Sequence, residues 1–310
     1  MRLASVTRRY NGRIVTTRGA PNRQRTLSPR LGIVVLMALA VLFGANHIAA
    51  RLAFDHGASV ATGVFARSFC TAIGVLVLLR LQGVPLAITR AQLGHALLVG
   101  LVLCVQSYCI YSAVARIPAA LALLSFHTFP VSLALMTWAS GRGRPSRRAA
   151  IAMLAALVGL SVALDVWHTP ISGGVVWALA AGVAFASALF MTELWLKGVN
   201  GRVRSVVTMA TVAAIVVAIG VPTGAFRAPA DGTAWLGLGL LSVFYGLAIT
   251  ALFVVLPRLG SANYAVVLNF EPIALLALGW LVLGQAVSPS QIAGAFIVVA
   301  AIAWLGISAE

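Results

Sequence analysis

From Leu31 onward the chain is a succession of long apolar runs separated by short polar stretches. An apolar segment of about 20 residues crosses the hydrocarbon as a helix, because each backbone amide is then satisfied internally. Ten segments have that length: Leu31 to Ala50, Ala58 to Leu79, Gly94 to Ala115, Ile117 to Ala139, Ala149 to Val166, Ser172 to Leu196, Ser205 to Pro222, Thr233 to Leu256, Gly260 to Gly284 and Ser288 to Ser308. The division between the third and fourth rests on "ARIP" at Ala115 to Pro118. The pattern predicts an all-α integral membrane protein of ten transmembrane helices.

Composition agrees: of 310 residues, 61% are hydrophobic and only 9% charged, with a mean hydropathy of +1.01, far from the balance of a soluble domain. A formal charge of +16 would suggest nucleic acid if it formed a patch on a soluble fold; its distribution along the chain excludes that reading. With the amino terminus inside, the cytoplasmic segments hold eight arginines before Leu31, then Arg80 and Arg90, then Arg142, Arg144, Arg147 and Arg148, then Lys197, Arg202 and Arg204, then Arg258. The opposite loops hold only Arg51, Arg116 and Arg227, and Arg67 falls within a span. This positive-inside bias fits ten spans with both termini cytoplasmic, and nine or eleven would scramble it. The bacterial inner (plasma) membrane is the expected location.

Residues 1–30 are rich in arginine and free of acid. Arg8 and Arg9 stand too far before the first apolar run for a twin-arginine signal, so a disordered basic cytoplasmic tail beside anionic lipid is expected. Cys70, Cys104 and Cys109 all fall inside spans without metal or redox spacing and read as packing residues.

Shifting the sequence by 142 residues lays "RIPAALALLSFHTFPVSLALMTW" from Arg116 on "RLGSANYAVVLNFEPIALLALGW" from Arg258. Only five of the 23 positions are identical, but they include Arg116 with Arg258, Pro130 with Pro272 and Trp138 with Trp280, all scarce residue types. The same shift lays Ala38, Val41 and Phe43 on Ala180, Val183 and Phe185. The chain therefore divides into a tail (1–30) and two five-span repeats (31–166 and 172–308). An odd number of spans per repeat inverts the second relative to the first, the arrangement that lets two bundles rock about a central site.

The stretch "RLGSANYAVVLNFEPIALLALGWLVLGQAVSPSQIAGAFIVVAAIAWLG" resembles the ninth and tenth helices of the drug/metabolite transporter superfamily, specifically its EamA-type ten-helix members. "FGAN" at Phe43 to Asn46, "ARSF" around Arg67 and "SAVARIPAALALL" are similar to other parts of that family. The chain departs from it after the glycines that close the fourth and ninth helices, where Arg144 and Gln285 replace the usual acid. The resemblance implies small metabolites or drugs as substrates, frequently amino acids moving outward; together with the inverted repeat, a secondary transporter working by alternating access is expected.

Glu271 is the most informative residue. An ionised carboxylate near the bilayer centre costs several kcal/mol and must face the bundle interior, so Glu271 is a candidate protonatable or substrate-ammonium-binding group; a structural acid, hydrogen-bonded or paired with Arg67, is the competing reading. Pro272 and Pro130 each lack an amide hydrogen and loosen their helices, freeing the carbonyls of Leu268 and Phe126. Asn269 and His127 precede these prolines at matching positions, Gln106 and Tyr245 lie at half depth, and Asn46 and His47 nearer the outer end of the first span; all are candidate substrate-binding residues expected to converge on a central cavity. Arg67 is expected either to snorkel to the interface or to grip a substrate carboxylate. Glu193 is expected to pair with Lys197 one turn on, and Trp138 and Trp280 to pack. Small-residue runs in the last helix suit close helix contact or a homodimer face.

No HExxH cluster, phosphate-cradling glycine loop or nucleotide-sized soluble domain is present, so no catalytic residue, metal or cofactor is expected. Expected partners are a small-molecule substrate and membrane lipid, not nucleic acid. The competing function is a non-transporting membrane scaffold or channel-like protein.

Overall fold

The apolar runs form α-helices wherever they are described. The computed structural model describes residues 7–10, 13–16, 29–143, 147–165, 172–259 and 270–307. Its helices are α1 (Pro29–Asp55), α2 (Val60–Leu81), α3 (Arg90–Val114), α4 (Ala119–Phe126), α5 (Phe129–Ala139), α6 (Arg147–Leu164), α7 (Gly173–Trp195), α8 (Gly201–Gly220), α9 (Gly232–Leu259), α10 (Glu271–Leu283) and α11 (Pro289–Ile307). Seven described segments are long and apolar enough to cross a membrane: Val34–Asp55, Val60–Leu81, Arg90–Val114, Ala119–Ala139, Gly173–Trp195, Gly201–Gly220 and Gly232–Ile249. Ala150–Leu164, Glu271–Leu283 and Pro289–Ala301 are shorter apolar helices. The one departure from helix among the described residues lies in the basic tail, where β1 (Thr7–Tyr10) and β2 (Arg13–Thr16) pair antiparallel with Thr7 opposite Thr16.

Local chemistry sets the helix ends. Gly57, at φ +98°, turns the chain after α1, and Ser59 caps α2 by accepting from the Thr62 amide. Thr89 and Gln92 form a reciprocal capping box on α3, and Asn200 caps α8. Pro118 separates α3 from α4, as "ARIP" predicts. The segment expected as one fourth span is instead broken at His127 and Thr128, where α4 stops and α5 begins with Pro130 in its first turn. Proline suits the start of a helix, where its missing N–H is unneeded, so the chain restarts there instead of continuing bent.

The 142-residue offset is written into the packing. α1 packs on α9 as α7 packs on α3; α2 packs on α9 as α8 packs on α3; and α1 meets α10 as α7 meets α5. Two contacts map onto themselves, α2 with α8 and α6 with α11. α5 and α10 even begin at equivalent residues, Phe129 and Glu271, each followed by its proline.

Close crossings use glycine. A Cβ on Gly237 of α9 would stand 2.8 Å from the Ala53 nitrogen and 2.9 Å from the Ala49 carbonyl of α1. One on Gly294 of α11 would overlap Gly159 and Ala163 of α6. With no hydrophobic drive between helices in lipid, such close van der Waals approach holds them together.

Polarity is distributed inside out. Phe69, Leu97, Leu154, Val176, Leu236 and Phe296 are exposed, whereas Asn46, His47, Arg67, Ser68, Thr71, Ser107 and His127 are buried. Trp138 and Trp280 do not pack as expected: both are more than half exposed, standing near the ends of α5 and α10, where an indole meets the membrane interface. Glu193 and Lys197 are both exposed and do not appear among the ion pairs of the described residues. α7 ends at Trp195, which takes Lys197 off the helix and removes the i,i+4 register.

Candidate functional site

The break between α4 and α5 and the start of α10 bring the polar side chains to the middle of the bundle. At the first, His127 caps the end of α4, and its ring Nδ1–H donates to the Leu123 carbonyl at 2.8 Å. Thr128 Oγ1 donates to the Ser125 carbonyl at 2.8 Å. Pro130 cannot donate to the Phe126 carbonyl, and Gly182 of α7 lies close by: a Cβ there would be 3.0 Å from that oxygen. Phe126, Phe129 and Phe185 fill the rest, with ring centroids 5.0 to 5.5 Å apart.

At the second, Glu271 opens α10. The sequence places this acid mid-span; the structure places it in the first turn of a helix, where the amide dipoles favour a carboxylate. Its Oε1 stands 3.7 Å from His47 Nε2 of α1. Gly44, one turn earlier on α1, lets the two helices meet, a Cβ there lying 3.7 Å from the Glu271 carbonyl. Asn269 lies outside the described residues.

A second group surrounds Arg67 of α2. Arg67 does not snorkel: only 5% of its surface is exposed. Nη2 donates to Ser107 Oγ of α3 at 2.6 Å, and Ser107 donates onward to Gln106 Oε1 at 3.3 Å. The guanidinium carbon lies 4.0 Å from the centre of the Tyr245 ring and 5.1 Å from that of Tyr111, within cation–π range. The anticipated pairing of Arg67 with Glu271 is replaced by that of His47 with Glu271, because Arg67 is held on the α3 and α9 side of the bundle by Ser107 and the two tyrosines.

Tyr111 joins the two groups. It is fully buried, donates its hydroxyl to Asn46 Oδ1 at 3.3 Å, and sets its ring 5.8 Å from that of His47. The sequence pattern did not single it out. The signal lay in spacing, since Ser107 and Tyr111 are one turn apart on α3 and present one face.

Beside Arg67 a cavity of about 230 Å³ runs between α2, α3, α7, α8 and α9. Of the residues chosen from sequence, Arg67, Gln106 and Tyr245 line it; Asn46, His47 and Glu271 form the polar cluster joined to it through Tyr111, and His127 lies against the aromatic cluster. Residues the sequence did not single out, Thr192 at the end of α7 and Arg204 and Ser205 at the start of α8, carry the cavity to the end of the bundle where α7 joins α8. Among the described residues no group of three His, Cys, Asp or Glu side chains comes together to hold a metal.

The opposite end, at the α1–α2 junction, is tied. Arg51 pairs with Asp55 at 2.8 Å and donates to the carbonyls of Val114 and Ile117. His56 pairs with Asp231 at 2.7 Å, Thr62 donates to the Arg227 carbonyl, and the Arg227 amide donates to Ser59 Oγ. The Ala234 amide and then His56 hold the Asp231 carboxyl below its ordinary range.

Comparison with known proteins follows this geometry. The model of the EamA-like transporter family matches the chain twice, over residues 30–164 and 172–307, the two halves that the 142-residue offset relates. A solved structure described only as a crystal structure of a protein shares the fold, with a TM-score of 0.63 over 93% of this chain and 98% of its own, at 16% identity. No curated protein matches the chain.

Proposed function

The chain belongs to the EamA-like transporter family, and we propose from the geometry of its centre that it is a secondary transporter, exporting an amino acid or related small metabolite across the bacterial inner membrane by alternating access. The proposed frame is ten spans with both termini cytoplasmic, the two repeats inverted, and the α4–α5 pair counted as one broken span. On that frame the α7–α8 junction is cytoplasmic and the α1–α2 junction external.

One observation carries the reading. A buried polar centre, between the α4–α5 break and the start of α10, adjoins a cavity that runs toward the α7–α8 end, while hydrogen bonds and ion pairs bridge the opposite end beside a second cavity of about 560 Å³. We read this difference between the ends as one state of an alternating-access carrier; discontinuous helices at the midplane are where such carriers place substrate. Glu271 and His47 are the protonatable pair of the site, and Asn46, Asn269, His127, Gln106 and Tyr245 are proposed to contribute to binding around it. Pro130 and Pro272 supply the breaks about which the halves move.

Solute counterflow in proteoliposomes tests this. A saturable exchange of some amino acid or related metabolite is expected, lost or stripped of its pH dependence in Glu271→Gln. A scaffold would show no counterflow, and a channel would show flux without saturation or exchange.

A further inference from the structure

We propose that the cavity binds an anion: its ligand carries a carboxylate, or an oxyanion of like geometry, which docks on the guanidinium of Arg67. The transport reading supplies only the word substrate; the binding claim stands on the cavity itself.

The argument is one of missing charge. Arg67 is buried, and a buried arginine without a counter-ion is costly unless its donors and charge are met. Ser107 meets Nη2 and the faces of Tyr245 and Tyr111 meet part of the charge. Nε remains buried without a hydrogen-bond partner among the described residues. Among the described residues no Asp or Glu lines the cavity.

The chain has only six acids, and none of the described ones lines the cavity. Asp55 pairs with Arg51, Asp231 with His56, and Glu271 faces His47. Glu193 is exposed, Asp165 follows the end of α6, Glu310 is the last residue, and residues 260–269 include no acid.

The remaining lining agrees. Arg204 stands at the far end of the cavity, so both charged side chains in the wall are cationic. Gln106, Ser107, Thr192 and Thr208 add neutral polar groups, and Leu103, Phe185 and Ile249 an apolar side. The planar guanidinium of Arg67, itself part of the cavity wall, suits a carboxylate. The volume of about 230 Å³ lies below the usual range for ligand sites, which limits the ligand to a small anion.

The test measures binding, not transport. Full-length protein in lipid nanodiscs is titrated with succinate, glutarate, L-aspartate and L-glutamate, each against its carboxamide counterpart, and with putrescine as a cationic control; melting temperature and tryptophan fluorescence are followed. At least one acid is expected to bind about tenfold more tightly than its amide, as one charge-assisted pairing contributes. Arg67→Gln should erase that ratio and Arg67→Lys retain part of it. Should Arg67→Gln fail to fold, Arg204→Gln is expected to weaken the acid severalfold while leaving the amide unchanged. The proposal is overturned if no acid in the panel binds, if acid and amide bind equally, or if putrescine is preferred. Counterflow of a neutral or cationic compound alongside such a result would sink the anion site and leave the transporter; acid binding without counterflow of any compound would do the reverse.

Discussion

The two repeats place different chemistry on the same backbone positions. Where the first repeat has Asn46, His47, Arg67 and Ser107, the second has Ala188, Leu189, Met209 and Ile249. The breaks differ in the opposite sense: Phe129 opens α5 inside an aromatic cluster, whereas its counterpart Glu271 opens α10 facing His47. Symmetry of helices thus serves mechanics, and asymmetry of side chains makes one site instead of two. The acid and its histidine come from different repeats, so any relative motion of the halves changes their separation.

The sharpest way to break this comparison is to make the breaks alike. Phe129→Glu puts a carboxylate opposite Leu189 instead of a histidine, among phenylalanine rings. It should cost about 3 kcal/mol or more, read as loss of folded protein in detergent gel filtration; a stable variant would show that the first break is as polar as the second. Glu271→Gln should do the converse, reducing counterflow by more than about tenfold while the melting temperature moves by only a few degrees, because the amide keeps the volume and removes the charge.

A finer contrast lies in the two glycines that flank the breaks. A methyl on Gly182 would press on the Phe126 carbonyl at 3.0 Å, whereas one on Gly44 finds ordinary contact at 3.6 Å from the Leu275 nitrogen. Gly182→Ala should therefore destabilise by about 1 kcal/mol and Gly44→Ala by less, compared in parallel melts; equal effects would show that α7 does not seat on its break more tightly than α1.

The smallest effect concerns the tied end. Because the folded-state pKa of Asp231 is lowered, its contribution is present at neutral pH and fades as pH falls through that lowered value. Asp231→Asn should remove this acid-side loss and slightly lower stability at neutral pH, seen as a flatter plot of melting temperature against pH below the ordinary carboxylate range.

Much of the fold could be read from apolar run lengths, because lipid leaves a helix as the sole answer for each run. The 142-residue offset likewise located the repeats from Arg116, Pro130 and Trp138 alone. What a one-dimensional reading could not give was depth and facing. Pro130 announced a disturbance in the fourth span, but whether the helix bends or stops depends on what packs against it, and Gly182 of α7 lies far away in sequence. Glu271 stood out as a lone acid, yet its place in a first helical turn required knowing where α10 begins. Tyr111 carried no signal of its own type; only the neighbours Asn46 and Arg67, brought in by α1 and α2, make it the link between the two polar groups. Arg204 read as one more cytoplasmic charge, while the cavity gives it a second character.

The central claim is that the tied end must open for substrate to leave. His56→Cys with Asp231→Cys, in a chain whose Cys70, Cys104 and Cys109 are replaced by alanine, allows that end to be locked by oxidation and released by reductant. Counterflow in proteoliposomes is predicted to stop when the pair is cross-linked and to return on reduction; undiminished counterflow with the cross-link complete would contradict the account.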